Sequence, residues 1–204
     1  MPLVLLMATV FPAKAQDRLP EIVALGDSLT AGYGLAPGDG FVPQLQAALD
    51  KKGYRLAIRN AGVSGDTSTG GLARLDWVLT PETRGVILEL GANDMLRGIS
   101  PAVTRRNLTQ LIERLQARNI EVMLAGMVAA PNLGADFAAR FNPIYPQLAD
   151  KYGLVFYPFF LDGVAGNRAL NLPDGIHPTA EGVAVIVEKI LPQMETFLAR
   201  LNQE

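Results

Sequence analysis

The sequence predicts a single α/β domain in three layers, a parallel sheet of five strands with helices on both faces. Three observations point to it. Five short runs rich in aliphatic and β-branched residues alternate with segments of helical spacing. Several of these runs are almost continuously apolar, the pattern of parallel strands covered on both sides. The chain has 204 residues, 49% of them hydrophobic, which is enough for one core. No linker, repeat or low-complexity tract divides it.

Taken in order, the first feature is Leu3–Phe11, an apolar run too short to span a bilayer as a helix. Ala13-Lys14-Ala15 follows, a small-x-small site, so residues 1–15 are expected to be a signal peptide cleaved after Ala15. No Lys or Arg precedes the run, which departs from the usual pattern. The expectation is an exported, periplasmic or secreted protein with one domain over 16–204 and no stable membrane insertion.

Strands are expected at Ile22–Leu25, Arg55–Asn60, Val86–Leu90, Glu121–Gly126 and Leu154–Tyr157. Between them, Phe41–Lys52 has apolar residues at helical spacing and stops at Gly53. Val103–Arg118 does the same, with Ser100-Pro101 as cap and first-turn proline. Phe137–Lys151 is helical in spacing, but Pro143 and Pro146 should kink or split it. Thr179–Leu201 is a long helix with a kink or break expected at Pro192. Strand–helix alternation of this kind makes a parallel sheet with crossover helices.

In such sheets ligands bind beyond the carboxyl ends of the strands, so what each strand delivers there is informative. Strand one delivers Gly26-Asp27-Ser28-Leu29, strand two Asn60-Ala61-Gly62-Val63-Ser64-Gly65, and strand three Gly91-Ala92-Asn93-Asp94. Downstream of strand five comes Asp174-Gly175-Ile176-His177-Pro178, with the one histidine of the chain. A serine hydroxyl needs a base to take its proton as it attacks a carbonyl, and imidazole is suited to that at neutral pH. A carboxylate three residues before the imidazole, Asp174, can orient it. The oxyanion formed needs fixed donors, for which the Ser28 and Gly62 amides and the Asn93 side chain are candidates. Asp27 reads as a cap that orients the Ser28 turn, and Glu89 as a group satisfying a local hydrogen bond.

These motifs, GDSL at 26–29, the Gly62 turn, GAND at 91–94 and DGIH at 174–177, resemble the SGNH (GDSL) hydrolase family over nearly the whole chain. The surrounding text is similar to the family's bacterial arylesterase and acyl-CoA thioesterase/lysophospholipase branch. The resemblance implies a flavodoxin-like sheet of order 2-1-3-4-5 and a Ser28–His177–Asp174 triad. It also implies an oxyanion hole made by Ser28, Gly62 and Asn93. The substrate would be an aryl ester, acyl-CoA or lysophospholipid, cleaved through an acyl-Ser28 intermediate.

Other classes fit less well. With 18 basic and 20 acidic residues there is no cationic excess for nucleic acid. The absence of Cys and the single His exclude thiolate and multi-histidine metal sites, and no metal or organic cofactor is expected. Neither a dinucleotide fingerprint nor a P-loop can be drawn through the glycines after strand one, and the GxSxG elbow is absent. A carbohydrate O-acetyl esterase of the same superfamily is the alternative, disfavoured because the one Trp, Trp77, has a plausible core role. A non-catalytic flavodoxin-like module is the reading from another class. Substrate contacts are expected from Leu29, Met95, Pro131, Leu133 and Ile176. The Met127–Phe141 segment, read as a loop around Ala129–Gly134, should wall the acyl groove and move on binding. With no lid inserted, the groove should be shallow and open.

Overall fold

A computed structural model describes residues 19–201. The proposed signal segment lies outside the described residues. The strands are β1 (Glu21–Gly26), β2 (Ala57–Gly62), β3 (Thr83–Glu89), β4 (Glu121–Ala125) and β5 (Val155–Tyr157). They form one parallel sheet in the order β2-β1-β3-β4-β5, as the sequence reading expects. Register decides where the chemistry lies: Gly62, Gly26, Glu89, Ala125 and Tyr157 are paired across the sheet in one row. Every segment leaving that row emerges on the same edge.

Helices α2 (Phe41–Lys51) and α8 (Ala180–Leu201) pack together on one face. On the other lie α3 (Ser68–Val78), α5 (Pro101–Gln116) and α7 (Ile144–Tyr152). The central strand residues Ile22, Leu25, Val86, Leu88 and Leu124 are fully buried between the layers. Short helices α1 (Ser28–Ala31), α4 (Ala92–Leu96) and α6 (Ala135–Phe141) occupy the carboxyl edge.

Three expectations are corrected and one is met. Pro192 does not break α8, which runs through it; the residue lies on the exposed face, where water can satisfy the carbonyl that proline leaves unpaired. The segment after β4 is not simply a loop, because a 3-10 turn at Pro131–Leu133 and α6 follow it. The helical segment 137–151, expected to kink or split at its prolines, is split at Asn142-Pro143 into α6 and α7. Trp77 is no core residue: it is 89% exposed, and the buried positions of α3 belong to Ser68, Gly71 and Leu75.

Candidate active site

Beyond Gly26, Asp27 caps α1, its Oδ1 accepting the Leu29 amide at 3.0 Å. Ser28 is therefore the first helical residue. Gly32, at φ 82°, ends the helix in the left-handed conformation, and the Gly32 and Tyr33 amides both donate to the Ser28 carbonyl at 3.1 Å. The Ser28 amide has no intramolecular acceptor among the described residues.

Glu89 lies beneath this turn, fully buried at the end of β3. Its Oε2 accepts the Asp27 amide at 3.2 Å and the Thr30 hydroxyl at 2.7 Å. The hydrogen bonds expected of Glu89 thus reach across to the neighbouring strand's exit rather than staying local. Burial, then the nearby Asp27 carboxylate, pushes the Glu89 carboxyl well above its usual range. Burial also raises Asp27, to about 6, although the Leu29 amide and the Asn93 side chain oppose it. The pair acts as a buried anchor that fastens the serine turn to the centre of the sheet.

His177 comes in from the loop before α8. Its Nε2 is 2.9 Å from Ser28 Oγ and its Nδ1 is 2.7 Å from Asp174 Oδ2. Asp174 Oδ1 accepts the backbone amides of Ile176 and His177, each at 3.0 Å. The three-residue spacing is therefore an Asx-type turn that folds the imidazole back over its own carboxylate. The Ile176 amide first, then the His177 ring and the His177 amide, hold Asp174 down to about 2, so it stays ionised wherever the imidazole works. Ser28, His177 and Asp174 meet as the sequence expects.

Asn93 is set on α4 just after Gly91. Its Nδ2 donates one hydrogen to Asp27 Oδ2 at 3.0 Å, leaving the second for the cleft that Asn93 lines. The next residue, Asp94, is fully buried and ties α4 to both neighbouring helices. It accepts the Ser68 amide at 2.7 Å, the Ser68 hydroxyl, and the Thr104 hydroxyl at 3.1 Å.

Gly62 does not take the place expected of it. Its amide donates to Asn60 Oδ1 at 2.9 Å, and it does not line the cleft. The reason is strand parity. The Val63 amide pairs with the Gly26 carbonyl at 3.1 Å, so the amide one residue earlier points away from β1. What requires glycine at 62 is close approach, since a Cβ would strike the Thr30 and Ala31 backbone of α1, 2.7 Å from Ala31 Cα. Gly65, three residues on, does line the cleft. It is left-handed at φ 81°, and its amide has no acceptor among the described residues. Arg97 from the end of α4 donates to the Gly65 carbonyl at 2.6 Å, and Arg74 holds Asp66 at 2.7 Å, so the turn is braced from two helices. Gly62→Ala should therefore act on stability. Overpacking of this kind costs about 1–3 kcal/mol, a drop in Tm of roughly 3–10 °C for a chain of this size. A Gly62→Ala protein with unchanged Tm but lost activity would return Gly62 to the oxyanion hole.

Ser28, Asn93 and His177 open into a cleft of about 590 Å³. Of the residues expected to contact substrate, Leu29, Met95, Pro131 and Ile176 line it, joined by Leu96, Met127, Val128, Phe159 and Leu161. Leu133 does not; at the far end of its 3-10 turn it packs against the core. Residues 127–131 do form a wall, pinned where the Ala129 amide donates to Asn142 Oδ1 at 2.7 Å and the Ala130 amide to Met95 Sδ at 3.2 Å. No Lys or Arg lines the cleft. No group of three or more His, Asp or Glu among the described residues is placed to hold a metal. Sequence reasoning missed Gly65 and Tyr33 as cleft-lining residues; the first could have been found by counting alternate amides out from β2.

Comparison with known proteins places the chain among ester hydrolases. The model of the GDSL-like lipase/acylhydrolase family matches residues 24–185. Esterase TesA of Pseudomonas aeruginosa is 37% identical over 184 residues, 90% of this chain and 92% of that one. A thioesterase/protease/lysophospholipase of Escherichia coli is 35% identical over 199 residues, 97% and 93% of the two chains. Among solved structures, AlinE4, an SGNH-hydrolase family esterase, superposes with a TM-score of 0.74 at 45% identity, covering 90% of this chain and 98% of that one.

Proposed function

The chain belongs to the GDSL-like lipase/acylhydrolase family, and from that premise we propose that it cleaves medium-chain acyl esters and thioesters by acyl transfer through Ser28. It is a carboxylic ester hydrolase. The observation that carries the mechanism is the unbroken relay from Ser28 Oγ through His177 to Asp174, at 2.9 and 2.7 Å. As Ser28 Oγ attacks the carbonyl, its proton passes to His177 Nε2, and the imidazolium is held by ionised Asp174. The oxyanion accepts hydrogen bonds from the Ser28 and Gly65 amides and the free Asn93 hydrogen. Collapse expels the alcohol or thiol, which takes the proton from His177. Water, deprotonated by the same nitrogen, then releases the acid and restores Ser28.

The apolar cleft wall supports the acyl length proposed. Leu29, Met95, Met127, Phe159 and Leu161 offer apolar surface without a cation, and each methylene buried there contributes about 0.8 kcal/mol. Across p-nitrophenyl esters from C2 to C16, kcat/KM should rise at least about tenfold from acetyl to the C6–C8 range. A profile highest at acetyl and falling thereafter would instead favour the O-acetyl esterase reading.

A further inference from the structure

The relay holds the His177 imidazole by its two nitrogens, in the plane of the ring, and says nothing of its faces. The loop that carries it is exposed, and the Asp174 side chain keeps 37% of its surface in water, yet the His177 side chain keeps only 15%. Tyr33 supplies cover: its ring centroid is 4.5 Å from that of His177, with the planes tilted by 38°. We propose that Tyr33 is a positioning residue for the general base, its ring holding the imidazole on the line between Asp174 and Ser28.

The local sequence is built to put it there. α1 has four residues, and the left-handed Gly32 turns the chain back so that the Tyr33 amide reaches the Ser28 carbonyl at 3.1 Å. Nucleophile and cover thus hang on one turn. Gly32 admits nothing larger, because a Cβ would strain φ 82° and press within 3.3 Å of Gly40 Cα. A second contact ties the same two loops together: Gly34 lies against Leu172, just before Asp174, where a Cβ would come within 2.7 Å of Leu172 Cδ1. The ring also suits the chemistry. An imidazolium forms as Ser28 attacks, and a cation within about 6 Å of an aromatic centroid is stabilised by the ring face. The contact uses the ring and not the hydroxyl, so phenylalanine should serve as well.

The inference rests on the acyl-transfer reading, and its test separates the two. With one histidine in the chain, the imidazole resonances belong to His177 without ambiguity. In the wild type, nuclear Overhauser contacts between the Tyr33 and His177 rings should be present, with the His177 ring protons shielded. Tyr33→Leu should abolish that shielding. It should also lower kcat on p-nitrophenyl acetate about tenfold with KM within about twofold, and slow phosphonylation of Ser28 by a similar factor. Tyr33→Phe should keep all three near the wild type. Wild-type kcat and labelling rate in Tyr33→Leu, or a loss confined to KM, would overturn the role. So would absent ring contacts in the wild type, a result that does not depend on the leucine variant folding. A wild type that is not phosphonylated at Ser28 would defeat the acyl-transfer reading itself.

Discussion

Ser28→Ala is expected to lower kcat/KM on p-nitrophenyl acetate by about 10⁴–10⁶, with Tm close to that of the wild type. The size follows from how the parts cooperate. His177 and Asp174 begin by taking the Ser28 proton, so removing the hydroxyl prevents formation of the acyl-enzyme on which their later steps act, and what survives is chiefly orientation and oxyanion binding. The fold should not notice. Ser28 contributes its carbonyl to the turn, where it accepts the Gly32 and Tyr33 amides, and alanine keeps that carbonyl. The side chain's bond is to His177 Nε2, at the edge of the cleft, where water can take its place. Steady-state assays with a thermal melt check both halves, and intact-mass analysis after organophosphonate treatment should show one adduct in the wild type and none in the variant. Retained turnover would mean that another group attacks the carbonyl.

Much of this was legible before any geometry. Strands β1, β3 and β4 were, because two-sided burial writes continuous apolar runs that few other environments demand; β2 is half exposed, and its expected run starts and ends two residues early. The DGIH motif was too, because an Asp three residues before a His can reach it by one tight turn. What escaped had physical reasons. Helix α3 gives little periodic signal, since Gly70 and Gly71 stand where it presses on Asp66 and Leu90 and no side chain fits. Pro192 breaks the usual rule at a position where the rule costs little, an exposed helical face. Gly62 and Gly65 look alike in a string of letters, and only the alternation of amides along β2 separates the one that packs from the one that faces the cleft. Pro131 and Leu133 divide similarly within a 3-10 turn, one toward the cleft and the other into the core. Tyr33 was invisible because its partner lies 144 positions away and no pattern joins them.

Asn93→Ala should lower kcat by about 10²–10³ while KM stays within about threefold, the signature of a donor that binds the transition state more tightly than the substrate. The loss is smaller than for Ser28 because the Ser28 and Gly65 amides remain. It is larger than for a flexible donor because Asn93 is held before substrate arrives. Asp27 fixes one Nδ2 hydrogen at 3.0 Å, and Asp94, locked to Ser68 and Thr104 in the next position, fixes the backbone that carries it. Stability should fall as well, since Asp27 is 1% exposed and loses a partner, and a buried acceptor left unpaired costs about 1–3 kcal/mol. Asn93→Asp makes the contrast sharper. It keeps the shape but replaces the donor by a second carboxyl facing both Asp27 and the developing oxyanion, so its kcat should fall at least as far as in Asn93→Ala. Kinetics at saturating ester, with denaturant melts of both variants, would decide the matter. A change in KM alone in Asn93→Ala would make Asn93 a substrate contact and leave the oxyanion to the two amides.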